Sequence, residues 1–266
     1  MMLYREYPPS PALAPHVACL WTAHVRPAPG ALPFRHRVLP DNCVDILWQD
    51  TGAPAFAVGM MSSAVIVPSA GPVRTVAVRF RPGSAGRFLG IPLDGLSDQR
   101  AALPELWGAS AADRLHDALW ERELSDLQRL ALIENALLSF PQHWERRASA
   151  ARRRAARSQE GGLALAAVRA IEAAGGALAV EPLAARLGVS RQHLSRQFGQ
   201  QVGLTPKLFA RITRFRRAAD AVRGRRHPDW AAVAAECGYF DQSHLIRDFH
   251  DFAALTPEQF LLPLGD

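Results

Sequence analysis

The 266-residue chain is 48% hydrophobic and carries 31 Lys and Arg against 25 Asp and Glu, a formal net charge of +6. This composition suits a globular protein of one or two domains, and no apolar run reaches the roughly 18 residues a transmembrane helix needs. Three scattered cysteines, Cys19, Cys43 and Cys237, exclude a disulfide framework and a CxxC metal clip. The N-terminus, Met1-Met2-Leu3-Tyr4-Arg5-Glu6, lacks the basic-then-apolar pattern of a leader, so a cytoplasmic, nucleoid-associated protein is expected.

The charge is unevenly spread. Residues 1–145 carry 12 basic and 14 acidic side chains, whereas the window 186–226 holds 11 basic residues and one acid, Asp220. A basic stripe confined to one segment suggests a polyanionic partner.

Residues 1–92 read as β-rich. Candidate strands are Val17–Val25, His36–Leu39, Val44–Trp48, Phe56–Val58, Val65–Val67 and Val73–Phe80, short and punctuated by Pro and Gly. Val76, Val78 and Phe80 alternate with Ala77 and Arg79, as in a half-buried strand. A small barrel or sandwich is expected, followed by a short helix over Ser84–Leu89. Residues 110–140 switch to helical spacing. Ser110 and Ser125 are candidate caps of two antiparallel helices, and Pro141 is the expected stop. The apolar residues Leu127, Leu130, Ile133, Leu137 and Leu138 either pack on the β domain or form a dimer seam; the sequence leaves both open. Arg146, Arg147, Arg152, Arg153, Arg154 and Arg157 mark an interdomain linker over 146–160. The expected fold class is α+β, with a β-rich sensor or dimerisation domain at 1–145 and an all-α domain at 161–266.

The all-α part contains a repeat. His193-Leu194-Ser195-Arg196-Gln197-Phe198 and Leu204-Thr205-Pro206 recur, 51 residues on, as His244-Leu245-Ile246-Arg247-Asp248-Phe249 and Leu255-Thr256-Pro257. An Ala-Ala-x-x-Gly turn precedes each copy, at Ala184–Gly188 and Ala234–Gly238. Each unit reads as helix, Gly turn, second helix. Ser190 and Asp241 are candidate caps of the second helices, and Pro206 opens a long helix between the units. Leu194 with Phe198, and Leu245 with Phe249, lie four apart and face inward. Arg191, Gln192, Ser195 and Arg196, and then Gln242, Ser243, Ile246 and Arg247, fall on the outward faces. Arg can bond a guanine edge and Gln an adenine edge, Ser either, and Ile can meet a thymine methyl. Double-stranded DNA is the expected partner, with Arg214 and Arg217 on the connecting helix touching phosphate or solvent. His193 and His244 are expected to be helix-boundary hydrogen bonders, and Trp230 to close the second unit's core.

Val180–Phe209 and Trp230–Phe260 resemble the two helix-turn-helix units of the arabinose-regulator (AraC/XylS) family of bacterial transcription factors. The resemblance rests on Leu183-Ala184-Ala185-Arg186-Leu187-Gly188-Val189-Ser190, the paired Leu-x-Arg-x-Phe motifs, Gly203-Leu204-Thr205-Pro206 and Ala234-Ala235-Glu236-Cys237-Gly238-Tyr239. It implies base contacts by Gln192, Ser195, Arg196, Gln242, Ser243, Ile246 and Arg247, with Ser190 and Arg191 beside them. It also implies further partners: RNA polymerase, a small-molecule effector at the N-terminal domain, and a second copy in a homodimer. Two positions depart from the pattern: Ala254 stands where Gly usually precedes Leu-Thr-Pro, and Phe260-Leu261 where Tyr-Arg is common.

Arg37–Asp45 and Val78–Gly83 are similar to an uncharacterised N-terminal domain found on some members of that family. No His-x-His cluster marks a metal site there, and no cofactor is expected. His36 and Asp41 are read as structural, while Asp45, Arg79 and Arg81 line a polar pocket or pair with one another. Some relatives join this DNA-binding module to a reactive-cysteine alkyl acceptor for DNA repair. That chemistry needs a low-pKa thiolate in a recognisable cluster, and Cys19 and Cys43 lack Cys or His neighbours at ligand spacing. A nonspecific nucleoid binder is the third reading; Gln, Ser and Ile on the outward faces argue against it.

Overall fold

The computed structural model describes residues 1–27, 34–147 and 162–262, with 140–147 described in backbone only. The N-terminal part is built on strands β1 (Met2–Tyr7), β2 (Val17–Val25), β3 (Phe34–Val38), β4 (Val44–Gln49), β5 (Phe56–Val58), β6 (Val65–Ser69), β7 (Val73–Phe80) and β8 (Arg100–Ala102). An antiparallel sheet has the order β1-β2-β7-β4-β5-β8, and β3 pairs with β6 apart from it. The alternation along β7 sets its two faces. Val78 lies between Leu20 of β2 and Ile46 of β4, and all three are buried in the main core. Ala77 lies between Trp21 and Leu47 and joins a smaller cluster on the other face. Edge strands β1 and β8 escape the sequence reading. The exposed middle of β1, Leu3-Tyr4-Arg5-Glu6, has no inward apolar rhythm, and β8 is three residues long.

Helices α1 (Ala85–Leu89), α2 (Leu103–Trp107), α3 (Ala109–Trp120) and α4 (Asp126–Arg147) cover this sheet. Leu119 of α3 and Leu130, Ile133 and Leu137 of α4 are buried in the same core as Phe80 and Phe88. The stripe at Leu130, Ile133 and Leu137 therefore packs on the β domain and is not a dimer seam. Leu127 and Leu138 remain exposed. Ser125 caps α4 reciprocally: its Oγ accepts from the Gln128 N–H, and Gln128 Oε1 accepts from the Ser125 N–H. Ser110 is not a cap; α3 begins after Gly108, and Ser110 lies in its first turn. Nor does Pro141 end α4, which runs on to Arg147. A proline removes one rung of the backbone ladder, and the turns on either side continue the helix. The linker at 146–160 lies outside the described residues beyond Arg147.

The C-terminal part comprises α5 (Gly162–Ala173), α6 (Val180–Arg186), α7 (Arg191–Val202), α8 (Pro206–Ala221), α9 (Trp230–Glu236), α10 (Gln242–Ala253) and α11 (Pro257–Leu261). Between α5 and α6, Gly176 has φ 78°, and a Cβ there would lie 2.2 Å from the Ala210 carbonyl oxygen. Only glycine allows the chain to turn this close to α8. Helix α8 is shared by both units. Phe209 meets Phe198 of α7 edge-on at 5.4 Å, and Phe215 meets Phe249 of α10 edge-on at 5.2 Å. Trp230 and Phe260 close on Phe249 from two sides, at 5.7 and 5.2 Å. Phe260, one of the two departures, thus serves packing. Ala254, the other, caps α10 in the left-handed conformation with φ 53°, a shape that strains any residue with a Cβ.

A buried ionic network fixes α10 on α8. Asp248 is fully buried, and its carboxylate accepts from Arg211 at 2.6 Å and lies 3.6 Å from the Arg214 guanidinium. Arg214 also lies over the Tyr239 ring at 4.7 Å and meets His244 Nε2 at 3.3 Å. Arg214 is therefore a structural residue rather than a phosphate or solvent contact: its side chain is 12% exposed and its charge is matched internally. Arg217 is exposed, as expected. Burial, and then the Arg214 charge, hold the His244 imidazole below its ordinary pKa.

The N-terminal domain grips both units. Ser97 donates to the Gly203 carbonyl, and the Leu93 N–H donates to the Gln200 carbonyl at 2.8 Å, both at the end of α7. Asn42, buried with φ 61°, donates from Nδ2 to the Phe209 carbonyl at 3.1 Å and to Thr213 Oγ1 at 3.0 Å on α8. Arg37 donates to the Ala253 carbonyl at the end of α10. Two stability predictions follow from these contacts. Asn42→Ala loses both bonds yet keeps a Cβ in left-handed backbone, so it should cost about 2 kcal/mol, and Asn42→Gly should cost less. Asp248→Ala leaves the largely buried Arg214 guanidinium without a carboxylate, while Arg211 keeps Asp251, and should cost about 3 kcal/mol, whereas Arg247→Ala on the exposed face should stay within about 0.5 kcal/mol. Urea unfolding of the full chain, followed by circular dichroism, measures all four; wild-type stability of Asp248→Ala would show that the network holds nothing.

Candidate nucleic-acid interface

Helices α7 and α10 each start at a side-chain cap. Ser190 Oγ accepts from the His193 N–H at 3.2 Å, and Asp241 Oδ1 accepts from the His244 N–H at 2.7 Å. Each ends in a left-handed residue, Gly203 after α7 and Ala254 after α10. The Leu-Thr-Pro triplet then starts the next helix the same way twice. Thr205 and Thr256 cap with their hydroxyls, and Pro206 and Pro257 occupy the first turn, where the missing N–H costs nothing. The repeat is thus a repeat of caps, which sets α7 and α10 at equivalent places in their units.

Inward, Leu194, Phe198, Leu245 and Phe249 are fully buried. Outward, Ser190, Arg191, Gln192 and Arg196 of the first unit and Gln242, Ser243 and Arg247 of the second are exposed. Ser195 and Ile246 occupy equivalent, half-buried positions. These nine residues form two polar surfaces at the N-terminal ends of α7 and α10, where free backbone N–H groups and the helix dipole favour an anion. Arg196 leans back to His193 Nδ1 at 3.3 Å, and Arg247 to the Ser243 carbonyl at 3.4 Å. Neither guanidinium has a carboxylate partner among the described residues. His193 and His244 sit at the helix starts and bond to neighbouring arginines, as expected.

The sequence reading did not single out Phe240, which lies immediately before the Asp241 cap and is 93% exposed. Nor did it find Arg211, Tyr239 and Asp248 as supports of the second surface. In the N-terminal domain, Arg79 pairs with Asp45 through two bonds, 3.0 and 3.1 Å long, with Asp41 at 3.3 Å. Arg81 instead donates to the Ala14 carbonyl. Of the two readings for these residues, pairing describes Asp45 and Arg79. Burial pushes the Cys19 thiol up to about 11 and raises the Cys43 thiol as well. Among the described residues, no group of three His, Cys, Asp or Glu side chains could hold a metal ion, and no helix is long and apolar enough to cross a membrane.

Residues 5–102 match the family model of a domain of unknown function (DUF6597), and residues 183–262 match that of a helix-turn-helix domain. No curated protein sequence matches the chain. Among solved structures, ToxT from Vibrio cholerae bound to (E)-4-(8-methylnaphthalen-1-yl)but-3-enoic acid is similar over 98% of each chain, at 10% identity and a TM-score of 0.47. Wild-type ToxT from the same organism with a bound unsaturated fatty acid is 9% identical, over 98% of this chain and 94% of that one, at a TM-score of 0.42. The matched C-terminal segment spans both capped repeats. The chain thus carries an arabinose-regulator-type (AraC/XylS) helix-turn-helix domain and is a DNA-binding transcription regulator.

Proposed function

We propose that this regulator is sequence-specific and reads two successive major-groove segments on one face of DNA, one with each of α7 and α10. The observation that carries this reading is the equivalence of the two exposed surfaces on one shared helix. Helix α8 has 16 residues and is about 24 Å long, while successive turns of the major groove lie roughly 34 Å apart. Reading helices packed on this one helix, α7 at Phe209 and α10 at Phe215, suit adjacent grooves with bending of the duplex. In this reading Arg196 and Arg247 bond guanine edges, Gln192 and Gln242 adenine edges, and Ser195 and Ser243 either, while Ile246 meets a thymine methyl. Ser190 and Arg191 hold the flanking phosphates.

The N-terminal domain supplies the input. It bonds to α7, α8 and α10 at once, so an effector, a second copy or RNA polymerase acting on it would alter the relation between the two reading helices. A reactive-cysteine acceptor is the weaker reading, because burial favours the neutral thiol at Cys19 and Cys43.

The test needs an operator selected from bound genomic fragments and a panel of its single-base variants. Arg196→Ala and Arg247→Ala should each lose about 1–3 kcal/mol and relax preference at a different base pair. Arg217→Ala should weaken all sequences alike, if at all, and flatten the salt dependence. If the first two variants weaken every operator equally, base readout by these helices is wrong.

A further inference from the structure

The two turns differ by one residue. After α6 the chain runs Gly188-Val189-Ser190, and after α9 it runs Gly238-Tyr239-Phe240-Asp241. The backbone identifies the extra residue. The Gly188 N–H donates to the Ala185 carbonyl and the Val189 N–H to the Ala184 carbonyl; Gly238 and Tyr239 donate to Ala235 and Ala234 in the same way. Tyr239 is therefore the counterpart of Val189, and Asp241 that of Ser190. Val189 and Tyr239 both turn toward the core. Phe240 has no counterpart, and it stands 93% exposed immediately before the cap of α10.

A whole aromatic ring in water next in sequence to polar Gln242 and Ser243 offers apolar area that a partner can remove from water, which is favourable for binding. Its position is continuous with the second reading surface, so DNA is the occupant nearest to hand. We propose that Phe240 is a specificity-determining DNA contact, packing its ring on the thymine methyl of a base pair at the edge of the α10 half-site. This rests on the two-helix reading above. Apolar contact with a thymine methyl is an ordinary mode of major-groove readout. It neutralises no phosphate and releases no counterion, so it leaves a signature unlike that of an arginine. It also makes the half-sites unequal, since Val189 offers no such projection.

The experiment uses the full chain and its selected operator, with each thymine in turn replaced by deoxyuridine. Wild type should lose about threefold to tenfold in affinity at one thymine beside the α10 half-site. Phe240→Ala should bind the unmodified operator about tenfold more weakly, with an unchanged salt slope, and should be indifferent to that deoxyuridine. Phe240→Leu should recover part of the affinity. Unchanged circular dichroism and melting of the variants rule out misfolding as the cause. Wild-type binding by Phe240→Ala would assign the ring to a protein partner and overturn the proposal, as would a wild type indifferent to every deoxyuridine. Arg247→Ala, measured alongside, separates the failures: if it relaxes one base pair while Phe240→Ala does nothing, only the Phe240 contact falls, and if neither matters, both readings fall.

Discussion

The structure depends on the double burial of α8. Its Phe209 belongs to the core of the first helix-turn-helix unit and its Phe215 to that of the second. Because one continuous helix supplies both anchors, the separation of the reading helices is set by backbone hydrogen bonds rather than by a flexible joint. Apolar packing alone leaves rotation about such an anchor weakly specified. Here Asp248 supplies direction, tying α10 to two successive turns of α8 through Arg211 and Arg214.

This network reinterprets the basic stripe. Of its 11 positive residues, Arg211 and Arg214 serve the interior of the domain and are neutralised by Asp248 and Asp251. The remaining charge is more local than composition suggests, and it includes Arg191 and Arg196 at the reading face. The N-terminal domain adds a second constraint through Arg37, Asn42 and Ser97, which reach α10, α8 and the end of α7 respectively. Its contacts lie at the C-terminal ends of the reading helices and on the connecting helix, leaving their N-terminal ends exposed.

The features that were legible in the sequence are those fixed by local chemistry. Ser190, Thr205, Asp241 and Thr256 each cap a helix within three residues, so their pattern could be read without tertiary knowledge. The inward rhythm of β4 and β7 was equally plain. Edge strand β1 was not, because a strand lying across the rim has no apolar alternation to display. Pro141 misled because one lost hydrogen bond does not decide a helix's length. Arg214 misled because its partner lies on another helix, and charge alone does not reveal whether an arginine faces solvent or an aspartate. Phe240 is legible only as a one-residue difference between two Gly-to-cap spacings, which the shared 51-residue offset of the helices themselves does not display.

In the proposed function one chain places two helices in successive major grooves. Methylation-interference and hydroxyl-radical footprinting of a selected operator, at a stoichiometry of one chain per site, tests it directly. Two-helix binding should give two patches of guanine interference centred about 10 base pairs apart, with backbone protection confined to one face of the duplex. A single patch, or two patches on opposite faces, would contradict it.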